Sequence, residues 1–287
     1  VRLLLEAGAD PYINQANGMN SLMWAAASGD TDTVSMVLGT GIDVNARDDE
    51  GCTALCYAVR NNSTRVAELL LRHDADINAA ANDGKTVLMT ASEMETTDLL
   101  HALLARSPVI DQTDKAGLTA LSYAVIRGRE QNLRLLLENR ARTNIRDPAG
   151  RTLISIAAAN GNRNIVNLLV KHHADIATRT GDGNTPLILA ADSGNAGIVI
   201  QLIRSGADVN ARNSNGNTAL MLAAGKNHIE TVRILLQSGA KTAIRNNQRK
   251  RAHDIAAASG SRESLALIEK QGSSGAWLSG IFRSSSD

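Results

Sequence analysis

Apolar and polar positions along this chain follow one pattern that starts again every 33 residues. Each copy carries a short alanine-rich run, such as Leu187-Ile188-Leu189-Ala190-Ala191 or Leu220-Met221-Leu222-Ala223-Ala224. A polar break follows, and then a second run that ends in a bulky pair. Those pairs are Val37-Leu38, Leu70-Leu71, Leu103-Leu104, Leu136-Leu137, Leu169-Val170, Leu202-Ile203 and Leu235-Leu236. Two short apolar runs separated by turn residues predict two helices per copy. The small residues of the first run let neighbouring helices approach closely.

Punctuation keeps the same register. Glycine falls at Gly18, Gly51, Gly84, Gly117, Gly150, Gly183 and Gly216, and alanine follows seven residues later from Ala25 to Ala223, with Ala256 continuing the series. Thr53, Thr86, Thr119, Thr152, Thr185 and Thr218, with Asn20 before them, stand where a side-chain oxygen can cap the first helix. Pro186 after Thr185 marks the clearest helix start. The break between the helices requires a left-handed residue. Gly29, Gly128, Gly161, Gly194 and Gly260 supply it, with Asn62 and Asn227 as substitutes. Glu95 fits that column poorly. Second helices close on Gly8, Gly41, Gly206 and Gly239, where Asp74, Ser107, Arg140 and His173 replace glycine at some local cost.

A chain copied this way is a solenoid, whose usual work is to hold something. The copy at residues 213–245, NSNGNTALMLAAGKNHIETVRILLQSGAKTAIR, closely resembles the ankyrin repeat. The resemblance covers residues 1–270. It implies an all-α solenoid of stacked antiparallel helix pairs with β-hairpin fingers. The "Thr-Ala-Leu-Met-Leu-Ala-Ala" form looks more like bacterial than animal members. One departure is consistent: the family's usual histidine column reads Met23, Cys56, Met89, Ser122, Ser155, Ile188, Met221 and Asp254. The bonds of that histidine must be absent or replaced.

The register divides the chain into a partial repeat at 1–16, seven full repeats at 17–245, a degenerate capping repeat at 246–270 and a tail at 271–287. The opening falls inside what should be a second helix, so a longer parent is expected. The tail brings Trp277, Leu278, Ile281 and Phe282 together, read as a hydrophobic cap with a docking peptide as the alternative.

Composition narrows the function. Lys and Arg number 30 against 29 Asp and Glu, so nothing in the total calls for nucleic acid. A local exception, Lys241, Arg245, Arg249, Lys250 and Arg251, is read as a solvated face with an anionic contact as the alternative. Cys52 and Cys56 lack the partners of a zinc site and are expected as free thiols, which favours an intracellular, cytoplasmic location. His172 and His173 suit a helix end. Asp48, Asp49 and Glu50 form an acidic tip without the rest of a calcium loop. No catalytic, cofactor-binding or metal-ligating set emerges, and no segment is apolar enough to span a membrane.

The expected function is therefore non-catalytic: a scaffold that binds a protein or peptide across the concave face and the fingers. The alternative is the recognition arm of a longer enzyme, channel or secreted bacterial effector. Oligomerisation through the end repeats stays open. Family resemblance places the contact residues in five variable columns. Arg60, Lys85, Met94, Leu118, Ile126, Arg127, Arg151, Asp192 and Lys226 stand there, with Asn160, Asp182 and Asn184 beside them. Met94, Leu118 and Ile126 are apolar where solvent is expected, a hot spot rimmed by charge or a local repacking.

Overall fold

The computed structural model describes Asp10, Pro11 and residues 17–281, with backbone alone for 272–281. The bulky columns become core because each helix pair has one apolar seam to bury. Leu70, Leu103, Leu136, Leu169, Leu202 and Leu235 are fully buried. Two compact units result, Val1–Arg142 and Thr143–Asp287.

The first unit contains α1 (Ser21–Ser28), α2 (Thr31–Leu38), α3 (Ala54–Arg60), α4 (Thr64–Arg72), α5 (Val87–Ser92), α6 (Asp98–Leu104), α7 (Ala120–Ile126) and α8 (Glu130–Glu138). The first helices α1, α3, α5 and α7 pack in series, and so do α2, α4 and α6. In the second unit α9 (Leu153–Ala159), α11 (Pro186–Asp192), α13 (Ala219–Gly225) and α15 (Ala252–Ala258) form the inner row. The outer row is α10 (Arg163–Lys171), α12 (Ala196–Arg204), α14 (Ile229–Gln237) and α16 (Arg262–Ile281). The backbone of α16 carries on through Gly272–Gly275; the expected cap of Trp277, Leu278, Ile281 and Phe282 lies outside the described side chains.

Cap chemistry follows the predicted columns. Asn20, Thr86, Thr119, Thr185 and Thr218 each accept the backbone N–H three residues on. Every glycine of the 33-residue column has positive φ, and Arg249 continues it at 61°. Asp74, Ser107, Arg140 and His173 are left-handed at 65°, 53°, 66° and 60°. The residue after the left-handed position then donates to the buried leucine carbonyl, as Ala141 N–H does to Leu136 O (3.0 Å) and Ala174 N–H to Leu169 O (2.9 Å).

The structure corrects the sequence expectation in two places. No β-strand, and hence no β-hairpin finger, occurs among the described residues; there are only isolated antiparallel bridges at Ala80–Thr86, Arg146–Thr152 and Arg212–Thr218. A ladder needs successive bonded pairs. Here the second arm is already the N-cap of the next helix, so pairing stops at once. The tips are turns held by side chains. The second correction is Glu95, which is absent from the left-handed residues. Helix α5 ends early at Ser92 and α6 starts late at Asp98, so the chain crosses by a wider right-handed route. Pro108 then stands where other copies donate a backbone N–H to the leucine carbonyl, and proline has none to give.

Candidate binding surface

The turn tips at Asp48, Asp114 and Asn213 are each organised by that one polar side chain. Asp48 Oδ1 accepts the N–H of Glu50 (2.9 Å) and Cys52 (2.8 Å). Asp114 repeats this with Ala116 (2.8 Å) and Leu118 (2.9 Å), and Asn213 with Asn215 (3.1 Å) and Asn217 (2.9 Å). Aspartate and asparagine suit the position because a short side chain can mimic a backbone turn. The remaining oxygen then reaches the following helix. Tyr57 donates to Asp48 Oδ2 (2.5 Å), and Tyr123 to Asp114 Oδ2 (2.6 Å). Burial pushes both phenols above the ordinary tyrosine range, and the hydrogen-bonded carboxylates push the same way. Asp48 is thus buried and used internally, so the acidic tip seen in sequence is not a free cation site. The sequence signal for these pairs was a tyrosine nine residues after an aspartate, twice, one period or more apart.

The missing histidine is replaced from within its own column. Thr86 N–H donates to Met89 Sδ (3.4 Å), Thr119 N–H to Ser122 Oγ (3.2 Å) and Arg251 N–H to Asp254 Oδ2 (2.8 Å). The first two are capping boxes with unusual acceptors; at Arg251 only the Asp254 half is made, since a guanidinium cannot accept. Thr53 and Thr152 instead turn their hydroxyls to Cys56 Sγ (3.7 Å) and Ser155 Oγ (2.9 Å). The Cys52 thiol and the Thr53 N–H and hydroxyl pull the Cys56 thiol down against its burial. Both cysteines are free and buried.

In the first unit, Glu93 draws two of the expected contact cations together. Lys85 Nζ lies 3.1 Å and Arg127 Nε 3.9 Å from Glu93 Oε1. Lys85 also sits 4.4 Å from the centre of the Tyr123 ring. Arg60 stands apart from that pair, over the Tyr57 ring at 5.7 Å and 3.6 Å from Glu50. Of the apolar trio, Ile126 is exposed (38%), while Met94 and Leu118 are half-buried. The opposite side of this unit has a cleft of about 490 Å³ between α4 and α6, lined by charged and small residues including Glu68, Arg72, Asp98 and His101.

The irregular third copy is held by residues of the next one. Asn132 is buried to 1% exposure, in a column that reads Thr33, Val66, Leu99, Ile165, Ile198, Thr231 and Ser264 in the other copies. Its Nδ2 donates to the carbonyls of Ala91 (3.3 Å), Ser92 (3.3 Å) and Met94 (2.9 Å). Arg129 Nε adds Glu93 O (2.8 Å), and its Nη1 adds Glu95 Oε1 (3.2 Å). In regular copies the Ala91-type carbonyl takes the backbone N–H five residues on, as Ala124 O does from Arg129 N–H (2.8 Å); here Ala91 O takes the Met94 N–H (3.2 Å) instead. An asparagine between the aliphatic Leu99 and Ile165 of the neighbouring copies was the sign that sequence reading passed over.

In the second unit, Arg151 pairs with Asp147 (2.7 Å) and Lys226 with Asp192 (2.8 Å). Between the turn tips and α9 and α11 lies a cavity of about 440 Å³. Ile156 and Leu189 give it apolar walls, while Arg151, Asn160, Asp182 and Asn184 supply polar groups. Arg151 and three residues from the predicted columns thus meet at one place; Asp192 and Lys226 do not line it. Among the described residues no three His, Cys, Asp or Glu side chains group to hold a metal, and no helix is long and apolar enough to cross a membrane. His172 caps α10 and His173 follows in the left-handed turn, the helix-end positions expected.

Stacked helix pairs with side-chain-locked turns, repeated in register, define a repeat scaffold. The family model for ankyrin repeats (3 copies) matches residues 1–81, 75–147, 135–213 and 195–274, and the chain belongs to the ankyrin-repeat family. Ankyrin repeats generally mediate protein–protein interactions, and proteins built from them are typically non-catalytic scaffolds. No curated protein matches the chain.

Proposed function

We propose that this chain binds a protein or peptide across the face formed by its turn tips and first helices. The observation that carries this reading is the cavity of about 440 Å³, with Ile156 and Leu189 as an apolar surface and Arg151, Asn160, Asp182 and Asn184 as polar groups around it. Apolar surface with a few polar groups fixing orientation is how such sites recognise ligands. The exposed Ile126, beside Arg127 in the first unit, extends the same kind of surface. An intracellular location belongs to the proposal and is supported by the free thiols Cys52 and Cys56.

Affinity capture from the native cell, read by mass spectrometry, supplies a partner. Replacing Asn160 and Asp182 with lysine is then expected to weaken that complex by more than about 1 kcal/mol with the melting temperature unchanged. The reading fails if those substitutions leave affinity intact while changes at Lys171 and Arg204, on the outer helices, abolish it.

A further inference from the structure

The period places arginine in one column four times running in the second unit: Arg146, Arg179, Arg212 and Arg245. In the first unit the same column reads Arg47, Ala80 and Thr113. All four arginines are exposed, and none stands within ion-pair distance of a carboxylate among the described residues. They bond to backbone carbonyls instead. Arg146 Nη1 donates to Gly150 O (2.8 Å) and Arg179 O (2.7 Å). Arg179 Nη1 repeats this with Gly183 O (3.0 Å) and Arg212 O (2.6 Å). Arg212 reaches Gly216 O through Nε (3.3 Å) and Arg245 O through Nη2 (3.1 Å), and Arg245 Nη1 reaches Arg249 O (2.8 Å). Each guanidinium is therefore pinned to its own turn, and the first three also to the next copy.

Pinning changes what the charges can do. A free arginine loses rotamer entropy when it binds, whereas a pre-held fork loses less. For Arg146, Arg179 and Arg245 these bonds leave the Nε–Nη2 edge unused, and that edge grips a carboxylate with two parallel bonds. Neutral carbonyls do not cancel the charge. The surrounding unit, Thr143–Asp287, has 17 Lys and Arg against 10 Asp and Glu, a formal charge of +7. Packed helices lie about 8–10 Å apart, which sets the rung spacing. A peptide extended as a polyproline II helix advances about 3.1 Å per residue with three residues per turn, so every third side chain faces the ladder and meets a rung.

The geometry points to this arginine ladder as a docking edge for an extended acidic peptide segment with carboxylates at about every third position. The inference rests on the protein-binding reading above but uses a different surface. Nucleic acid fits less well. Single strands are gripped by stacking on aromatic rings, and residues 143–271 contain no Phe, Trp or Tyr.

Fluorescence anisotropy on the whole chain tests it, with labelled (Glu-Ser-Ser)4 as probe, its isomer Glu4Ser8 as spacing control and a dT12 oligonucleotide as class control. The spaced peptide is expected to bind at least fivefold tighter than the clustered one. The triple variant Arg146→Lys, Arg179→Lys, Arg245→Lys keeps the charge but removes the free forks, and a tenfold loss is expected. The matching glutamine variant should lose at least as much, and melting curves verify that both variants fold. Asn160→Lys with Asp182→Lys should leave the ladder peptide bound. Equal affinity for both peptides, or full affinity in the lysine variant, overturns the ladder. Ladder-dependent binding of dT12 tighter than the peptide overturns the partner class. Loss of peptide binding only in the Asn160/Asp182 variant overturns the ladder while leaving the proposed function standing.

Discussion

The two units are built on one template and carry opposite net charge. The unit Val1–Arg142 has 13 Lys and Arg against 19 Asp and Glu, a formal charge of −6, where Thr143–Asp287 carries +7. In the acidic unit cations pair with carboxylates: Lys85 and Arg127 with Glu93, Arg129 with Glu95, and Arg142 with Asp111 at 3.4 Å. That unit also contains the irregular copy, whose wide turn leaves carbonyls for Asn132 and Arg129 to satisfy. In the basic unit the turns are regular, the carbonyls recur in line, and the arginines rest on them. Where the backbone is irregular, Arg129 is taken up in repairing the turn; where it repeats, the Arg146 column is held along the line of carbonyls.

The comparison can be tested first at the point where the units should agree. Leu136 and Leu169 occupy the same fully buried column, one in each unit. Either leucine replaced by alanine is expected to cost about 2–5 kcal/mol, read by urea denaturation. A loss under about 0.5 kcal/mol at either site would break the equivalence of the columns. The next effect should appear only in the irregular unit. Asn132→Ala removes three bonds to carbonyls at the end of α5, and its cost should be about 1–3 kcal/mol. Oδ1 of the same side chain has no hydrogen-bond partner in the structure, so the gain is smaller than three bonds would give. Asn132→Leu puts an aliphatic residue there, as in the copies on either side, yet it too should destabilise. If it stabilises, the bonds across the turn do not hold that copy together.

Period and residue type made the helices, their caps and the buried leucines legible, because each depends on neighbours within one copy. Thr119 caps the helix it precedes, and Leu169 faces inward by spacing alone. What stayed hidden joins residues about one period apart. Arg146 finds Arg179 O, and Asn132 finds Met94 O 38 residues back; no local window contains both partners. Lys85 and Arg127 were read as members of the contact columns, but their shared Glu93 lies between them in the chain and draws both. The β-hairpin expectation failed for a different reason. It came with the family resemblance, whereas these tips are closed by Asp48-type side chains and leave room for a single bridge.

A smaller effect separates left-handed residues from right-handed ones. Arg140 and His173 hold φ of 66° and 60°, one in each unit, and a side chain there is strained. Arg140→Gly and His173→Gly should each stabilise by up to about 1 kcal/mol, relief of strain offset by chain entropy. Glu95→Gly should do the reverse, losing about 0.5–1 kcal/mol, since that residue is not left-handed and gives up its contact with Arg129. Thermal melts of the three variants decide it. Stabilisation by Glu95→Gly would show that the third copy turns as the others do.

The smallest expected difference is one of pH, at the column that replaces histidine. Ser122 in the acidic unit and Asp254 in the basic unit both accept the N-cap backbone N–H, but only Asp254 titrates. The Arg251 N–H, then the Arg251 side chain and His253, hold the Asp254 carboxyl at about 2, below its usual 3.8. A carboxyl depressed in the folded state stabilises above its unfolded pKa, and that contribution disappears as pH falls through the folded value. The cap of α15 should therefore weaken as pH drops from about 4 toward 2, while the cap of α7 does not respond. Melting temperatures across that window should fall less steeply for Asp254→Asn than for the unsubstituted chain. Ser122→Ala should lower them by a constant amount at every pH. An unchanged acid slope in Asp254→Asn would mean that the carboxylate does not cap α15 in solution.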